Sequence, residues 1–425
     1  MDYITARQPT KAQIVANGFV AFSAFIFLFT SVAFKGSYKL SGILIVLSYC
    51  CFLIKPLRQQ VTLDEHSKKL IAVLLVYGLT FILELLMFNQ DTRELDQVSK
   101  IVLFLPLIPL LSGARIANSI MIAGFASGSF LLFVVAGYEA FYLEKWRAGG
   151  GINEIQFGGI AIVMGGCTLC FWAYFKQPIL RGLVILAGLS AIIASGLSGS
   201  RGAWLAIIPI LIILFTGFYT ELSKRIKFTA LSAILLAIAF IAFSPQSSIK
   251  DRVNTAVSQL ERYNNNPGIS NTSVGLRLDM WKIAAEVSLQ NPIIGAGKED
   301  YLAYQEKQVE QGKASPRLLN FSHAHNGYLD SSARRGLVGL SALLLLLLFP
   351  VYIGLKHWKS PSARIKSSAL SLMIYGSSFA TFTLTQSVLS HNSGMVMFTG
   401  MLIILMSILS SELKHNDQCN HHYQK

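Results

Sequence analysis

Residues 321–340 read FSHAHNGYLDSSARRGLVGL and place two histidines and two arginines directly before a long apolar run. His323 and His325 are two residues apart, so on a helix they would not face each other and would make a poor pair of metal ligands. No HExxH motif or carboxylate-rich cluster accompanies them. The chemistry that remains for a histidine beside arginines is that of a general base near pH 7, which takes a proton from a hydroxyl group. The alternative is that both histidines are structural.

A second candidate site lies in residues 195–206, SGLSGSRGAWLA, where glycines and serines surround Arg201. Glycine lets a ligand approach the backbone closely, and a guanidinium beside the amides of this loop can form an anion site. The same loop opens a predicted helix, whose unpaired N-terminal N–H groups suit a phosphate. The alternative is a tight loop whose arginine reaches lipid phosphate at the membrane surface.

A third candidate is the stretch SVGLRLDMW, residues 273–281. Arg277 and Trp281 are four residues apart and share a helix face, so the arginine can clamp a phosphate while a sugar stacks on the indole. The alternative is that Arg277 pairs with Asp279 or Glu286 and that Trp281 belongs to a hydrophobic core.

The chain contains no Asp-x-Asp element, with which many enzymes that use nucleotide-sugar donors hold a divalent metal ion. The nearest approach, Glu94-Leu-Asp96, lies between two apolar runs and is interpreted as solvated charge. The sequence therefore favours chemistry without a metal or cofactor, in which arginines neutralise a leaving phosphate.

Four further ionisable residues stand next to or inside apolar runs. Glu84 lies inside a predicted span, where a charge is costly, so it is either functional or paired with a polar group of a neighbouring helix. His391 lies in the last outer loop and is a candidate for lining the same cleft as His325. Arg334 and Arg335 either bind a diphosphate or acidic sugars or mark the membrane edge, and the edge is the favoured interpretation.

The composition identifies the class of protein. With 53% hydrophobic and 14% charged residues, the chain is too apolar for a soluble domain, in which charged residues make up about a quarter. Its apolar runs have the length of about 20 residues that a helix needs to cross a bilayer. We therefore predict an all-α polytopic membrane protein with about 12 transmembrane helices. They are expected near residues 14–34, 40–57, 69–88, 100–113, 116–138, 156–175, 179–196, 202–219, 227–243, 336–355, 366–386 and 393–412.

The distribution of lysine and arginine predicts the orientation of these helices. With the N-terminus inside, the cytoplasmic segments hold 18 of the 36 basic residues and the short outer loops hold 7. Both termini are therefore predicted in the cytoplasm. The net charge of +14 gathers mainly at cytoplasmic helix ends, where membrane lipids with anionic headgroups explain it, so we expect no nucleic-acid partner.

The predicted organisation has four parts. They are helices one to nine in residues 1–243, a large periplasmic loop subdomain in 244–335, helices ten to twelve in 336–412, and a cytoplasmic tail in 413–425.

The loop subdomain is predicted to be helical. The pattern indicates an amphipathic helix at 247–263, a second helix at 274–290 that stops before a proline, and a third at 298–311. None of the five cysteines lies in the loop, so it folds without a disulfide. Cys167 and Cys170 lie in an apolar helix and are interpreted as packing residues.

Several motifs combine in a recognisable way. Ser-Gly-Ser-Arg-Gly stands at a helix mouth, a large outer loop precedes span ten, and nine residues separate His325-Asn326 from Gly336-Leu-Val-Gly339. With the NPIIGAG turn at 291–297, this pattern resembles the O-antigen ligase family. The resemblance covers most of the chain by topology. Leu340 departs from it, since the family carries threonine or a similar residue after the second glycine.

The resemblance implies a membrane glycosyltransferase with a GT-C-like fold, multi-pass in the bacterial inner membrane, whose active site faces the periplasm. Such an enzyme takes O-antigen from undecaprenyl diphosphate, the donor, and joins it to lipid A-core, the acceptor. By similarity Arg201 and Arg277 would bind the diphosphate, and His325 would be the catalytic base. The supporting residues would be His323, Asn326, Trp281, Ser200 and Gly202.

The chemistry of the residues agrees with this reading. A sugar diphosphate brings its own leaving group, so a base and cations suffice, and a single displacement inverts the anomeric centre. The alternatives are an O-antigen polymerase, a protein O-oligosaccharyltransferase, and a transporter with Arg201 and Glu84 as pathway charges. The chain lacks the inverted repeat that many transporters show.

Overall fold

The computed structural model describes residues 10–221, 223 and 272–423, and this part of the chain contains helices and no strands. The α-helices are α1 Lys11–Thr30, α2 Ser37–Ser48, α3 Lys55–Arg58, α4 Glu65–Phe88, α5 Asp96–Phe104, α6 Leu107–Gly113, α7 Asn118–Gly137, α8 Glu154–Cys170, α9 Pro178–Leu197, α10 Arg201–Trp204, α11 Ile207–Phe218, α12 Ser273–Gln290, α13 Gly297–Glu310, α14 Gly327–His357, α15 Ala363–Thr383 and α16 Asn392–Tyr423. Short 3-10 segments are Tyr49–Leu53, Thr92–Leu95, Phe171–Tyr174, Pro316–Asn320 and Val388–Ser390, and Tyr138–Tyr142 is a π-helical turn.

Within the described ranges, nine helical segments are long and apolar enough to cross a membrane. They are Lys11–Thr30, Glu65–Phe88, Thr92–Gly113, Asn118–Tyr142, Glu154–Tyr174, Pro178–Leu197, Arg201–Phe218, Gly327–His357 and Asn392–Cys419. The prediction of an all-α polytopic membrane protein is confirmed.

Two predicted spans correspond to helical segments that are too short or too polar to be among these nine. The span at 40–57 corresponds to the shorter apolar segment Ser37–Leu53. The span at 366–386 corresponds to α15, which is long enough but less apolar, because serines such as Ser367 and Ser371 occupy buried positions.

The loop helices that can be compared with the structure were placed correctly. The helices predicted at 274–290 and 298–311 are α12 and α13. The predicted span at 227–243 and the amphipathic helix at 247–263 lie outside the described residues.

Two helices form the centre of the bundle. In the candidate spans that contain α8 and α16, 89% and 94% of an apolar stretch of 18 residues is buried inside the protein. In the other candidate spans the buried share of such a stretch is 33–50%. Around the two central helices, α14 packs along α15, and α9 packs along α7 and α8. Cys167 and Cys170 of α8 are free and fully buried, which confirms their interpretation as packing residues.

The helix α14 contains most of the stretch FSHAHNGYLDSSARRGLVGL, residues 321–340. It begins at Gly327, where the Oδ1 atom of Asn326 caps it by accepting the N–H groups of Tyr328 and Leu329, both at 3.1 Å. The predicted start of this span, Gly336, is instead the position of a kink, with φ 60° and ψ −156°. Only glycine adopts that backbone readily.

The NPIIGAG turn, residues 291–297, docks onto this kink. Because the kink interrupts the helix, the amides that follow it lack the carbonyl one turn earlier as a hydrogen-bond acceptor. The N–H of Leu337 donates instead to the carbonyl of Pro292 at 2.8 Å. A Cβ atom on Gly295 would lie 2.3 Å from the backbone of Arg334, so a side chain there would push the turn away. The glycines of the two motifs therefore hold the loop helices against the bundle.

Candidate functional site

His325 is held in a constrained position beside Gln386. Its φ of 49° lies in the left-handed region, which is uncommon for a residue other than glycine and recurs at functional sites. The Nδ1 atom lies 2.5 Å from Oε1 of Gln386, and the Nε2 of the same amide lies 3.3 Å from Nε2 of His391. With the amide in this orientation its oxygen accepts, so Nδ1 of His325 carries the proton and Nε2 is the basic nitrogen.

Three histidines pack together at this point. The ring of His323 lies 4.4 Å from that of His325 and 5.3 Å from that of His391, centroid to centroid. Burial, followed by the neighbouring histidines, lowers the pKa of His323 and of His391 to about 4. Both are neutral at pH 7, and His391 joins the cluster. His323 does not cap α14, because Asn326 does.

The pKa of His325 is also lowered from its ordinary value. Burial is the main cause, the nearby guanidinium of Arg277 adds to it, and the hydrogen bond to Gln386 opposes it. The imidazole is therefore uncharged at pH 7 and able to accept a proton.

A cavity of about 660 Å³ brings three arginines together. Arg201 comes from α10, Arg277 from α12, and Arg147 from the segment between α7 and α8. The Nε of Arg147 donates to the carbonyl of Ser198 at 2.8 Å, which fixes this guanidinium against the Arg201 loop. In the part of the chain described, none of the three forms an ion pair. Their positive charge makes the cavity suited to an anion.

The alternative for Arg277 was pairing with Asp279 or Glu286, and that for Trp281 was a place in a hydrophobic core. In the described ranges neither Glu286 nor Asp279 forms an ion pair with Arg277. The carboxylate of Glu286 accepts the hydroxyl of Tyr304 at 3.1 Å, and that of buried Asp279 accepts the Ser315 amide at 3.4 Å. Trp281 packs against the apolar cluster of the loop helices and does not line the arginine cavity. This packing agrees with its interpretation as a core residue, and its role in sugar stacking stays a prediction.

The Arg201 loop differs from its prediction in one respect. Ser200 and Gly202 line the cavity, but the N–H of Ser200 donates to Oγ of Ser198 at 3.2 Å and that of Arg201 to the carbonyl of Gly199 at 3.1 Å. The prediction of unpaired amides is wrong for these two residues, because the loop turns on itself before the helix begins. Anion binding there depends on the guanidiniums.

The cavity and the histidine cluster are neighbours. A Cβ atom on Gly202 would lie 2.3 Å from Oγ1 of Thr385, so the Arg201 loop packs directly against the residues that follow α15. Thr385 lines the cavity, and the next residue, Gln386, bonds to His325. The structure therefore brings Arg201, Arg277 and His325 to one site.

The sequence did not indicate two residues of this site. Gln386 gave no signal, since a polar residue after a helix is ordinary, and its importance comes from contact with a histidine 61 positions away. Arg147 lies in the aperiodic stretch EKWRAGGGIN, which carries no motif.

Arg334 and Arg335 do not mark the membrane edge; that interpretation is wrong. Both are 6% exposed, and both pair with Glu84, which is 3% exposed. Arg334 also contacts Glu94 at 2.6 Å, and the other oxygen of Glu94 pairs with Lys298 at 2.6 Å. Pairing of Glu84 with a neighbouring helix is confirmed, whereas Glu94 is not a solvated charge. A buried charge requires such partners.

Comparison with known proteins places these features in a family. A family profile described as O-Antigen ligase matches residues 186–344, which include Arg201, Arg277 and His325. An uncharacterized protein of Haemophilus influenzae is 31% identical over 360 residues, 83% of this chain and 89% of that protein. The O-antigen ligase of Escherichia coli is 25% identical over 233 residues, 53% of this chain and 54% of that protein. The chain therefore belongs to the O-antigen ligase family.

Proposed function

We propose that this protein transfers O-antigen from undecaprenyl diphosphate to lipid A-core, as a metal-independent, inverting glycosyltransferase. The observation that carries the proposal is the meeting of Arg147, Arg201 and Arg277 in one cavity directly beside the uncharged His325. Cations next to a base are what transfer from a sugar diphosphate to a hydroxyl requires.

The reaction follows from this arrangement. The donor's diphosphate lies among the arginines, and its sugar extends toward His325. Nε2 of His325 takes the proton of the acceptor hydroxyl, whose oxygen attacks the anomeric carbon from the face opposite the diphosphate. The bond between that carbon and the diphosphate oxygen breaks, and undecaprenyl diphosphate leaves with the electron pair. The guanidiniums stabilise the negative charge that develops on it.

The proposed topology agrees with this reaction. We place about 12 transmembrane helices in a GT-C-like arrangement, both termini in the cytoplasm of the inner membrane, and residues 244–335 in the periplasm. The donor's lipid tail would lie in the bilayer and its diphosphate at the interface, which is the level of a site shared by α10, α12 and the start of α14.

Deletion of the gene in its host tests the function. We expect long O-antigen to accumulate on undecaprenyl diphosphate and none to reach lipid A-core, as seen by electrophoresis and mass spectrometry of the lipid fraction. Accumulation of single repeats would identify a polymerase instead, and intact lipopolysaccharide with loss of a glycoprotein would identify a protein ligase. Transfer by the purified enzyme should survive EDTA; lost activity would refute the metal-independent mechanism.

Replacing Arg277 by glutamine tests the link between the cavity and the base. We expect transfer to slow by about 100-fold, because one charge on the leaving diphosphate loses its partner. Arg277 also lowers the pKa of His325, so without it this pKa rises and the histidine stays protonated to a higher pH. The acid limb of the pH–rate profile should therefore move to higher pH.

The matched control for this variant is Lys282→Gln, which removes an exposed positive charge from the same helix. It should leave both the rate and the profile unchanged. An acid limb that stays in place in Arg277→Gln would contradict the assignment of that limb to His325.

A further inference from the structure

A second polar cavity lies at the opposite end of the bundle from the arginine cavity. It has a volume of about 1000 Å³ and is lined by Arg181, in the first turn of α9, whereas Gly196 near the end of α9 lines the arginine cavity. Fifteen helical residues separate the two positions, which is about 22 Å at 1.5 Å per residue. The two cavities therefore lie near opposite surfaces of the membrane.

The second cavity carries an excess of positive charge. Lys176, Arg181 and Arg364 line it, and none of them forms an ion pair with the described residues. Among the described residues that line it, the single carboxylate is Glu412, which is buried and accepts hydrogen bonds from Nδ2 of Asn118 at 2.6 Å and from a tyrosine hydroxyl. Three cations thus face one carboxylate whose oxygen already has partners.

The two arginines of this cavity are held in place by other groups. The Nε of Arg181 donates to the carbonyl of Phe175 at 2.7 Å, and its guanidinium lies 5.6 Å from the ring of Trp172. The guanidinium of Arg364 lies 5.2 Å from the ring of Tyr174. Such stacking orients a guanidinium without neutralising it. Asn118 adds a buried Oδ1 atom without a hydrogen-bond partner in the described structure.

An apolar groove continues from the cavity along the bundle surface. It has a volume of about 420 Å³, runs between α7 and α9, and is lined by residues such as Ala126, Phe130 and Leu183. Phe175 lines both the groove and the cavity, so the two adjoin at this side chain. Ser119, in the cavity, and Phe130 are eleven residues apart on α7, about 16 Å along the axis. Half the hydrocarbon core is about 15 Å, the reach of one acyl chain in one leaflet.

We propose that this cavity and groove form a binding site for an anionic phospholipid. The phosphate of the headgroup lies among Lys176, Arg181 and Arg364, and one acyl chain fills the groove between α7 and α9. Basic pockets between transmembrane helices suit such headgroups, and a free phosphate would leave the groove unused. The proposed orientation places the site in the cytoplasmic leaflet. It takes no part in the proposed transfer reaction, and its test does not depend on that reaction.

Native mass spectrometry of the full-length protein in detergent tests the site. Phosphatidylglycerol is added as the probe, with phosphatidylcholine and inorganic phosphate as comparison ligands. We expect one tightly retained phosphatidylglycerol, and an affinity on the order of tenfold lower in Arg181→Gln/Arg364→Gln, since each lost cation weakens headgroup binding. Ala126→Phe should also lower retention, because the larger side chain fills the groove.

Two controls match these variants. Lys55→Gln/Arg58→Gln removes the same charge from α3, which does not line the cavity, and Val134→Phe enlarges an exposed apolar residue of α7 outside the groove. Both should retain the lipid as the unmodified protein does. Equal lipid loss in the test and control arginine variants, or displacement of the lipid by millimolar inorganic phosphate, would overturn the proposal. Undiminished retention in Ala126→Phe would overturn the acyl-chain groove.

Discussion

Replacing His325 by alanine is expected to slow transfer of O-antigen by about 100- to 10,000-fold, the range that a positioned general base contributes. The imidazole is held by the hydrogen bond of Nδ1 to Gln386 and by ring contacts with His323 and Phe321, so its Nε2 has a fixed direction. Water that enters the space left in the variant has no such orientation. The measurement is the rate of transfer from purified lipid-linked donor to lipid A-core.

The mechanism also predicts what His325→Ala leaves intact. Donor binding depends on the arginines, so the variant should still bind undecaprenyl-diphosphate-linked glycan with an affinity within severalfold of the original. Retained binding also shows that the protein is folded. Full transfer activity in His325→Ala would refute the role of base.

The matched control is His357→Ala. His325 stands two residues before the first residue of α14, and His357 is the last residue of the same helix, so the two lie at opposite ends of it. In the described ranges, the one hydrogen-bond partner of the Nε2 atom of His357 is the ring of His66, at 3.2 Å. This variant should transfer O-antigen at the original rate. A comparable loss in both variants would indicate a general effect on α14.

The parts of this structure that the sequence predicts are those that depend on local pattern. Hydropathy located the spans, and the proline after Asn291 located the end of α12, because both effects act within a few residues. The types of the site residues were likewise readable, since arginine and histidine limit the chemistry available. Their meeting in one place was an expectation from family resemblance, because it depends on packing between α10, α12 and the segment after α15.

The interpretations that failed depend on partners distant in the sequence. Arg334 and Arg335 before an apolar run look like residues at a membrane surface, but their partner Glu84 lies 250 positions away from Arg334. Conversely, the spacing of the glycines after His325 matches a family motif, but the sequence does not give a physical reason for glycine at these positions. The structure supplies one: Gly336 forms the kink onto which the turn at 291–297 docks.

Replacing Glu84 by alanine is expected to lower the free energy of unfolding by about 3–5 kcal/mol, the cost of leaving buried charges without their partner. Both oxygens of Glu84 are engaged: Oε1 accepts Nε and Nη2 of Arg334 at 3.0 Å, and Oε2 lies 3.4 Å from Nη1 of Arg335. Of the two arginines, only Arg334 would keep a carboxylate partner in this variant, namely Glu94. The guanidinium of Arg335, 3.9 Å from the ring of Phe81, would keep a weak cation–π contact and no carboxylate. Chemical denaturation in detergent micelles measures the change.

The matched control is Glu65→Ala, which breaks a pair with Lys68 in the first turn of the same helix. There the side chains are 71% and 60% exposed, so water replaces the lost partner and the expected change is below about 1 kcal/mol. Equal destabilisation by the two variants would mean that lipid phosphate or water reaches Arg335 in Glu84→Ala. A much larger loss of unfolding free energy in Glu84→Ala would instead show that the ion pairs of Glu84 stabilise the elements around the site. These ion pairs tie α4 to the start of α14 and, through Glu94 and Lys298, to α13, and so fix the elements on which the position of His325 depends.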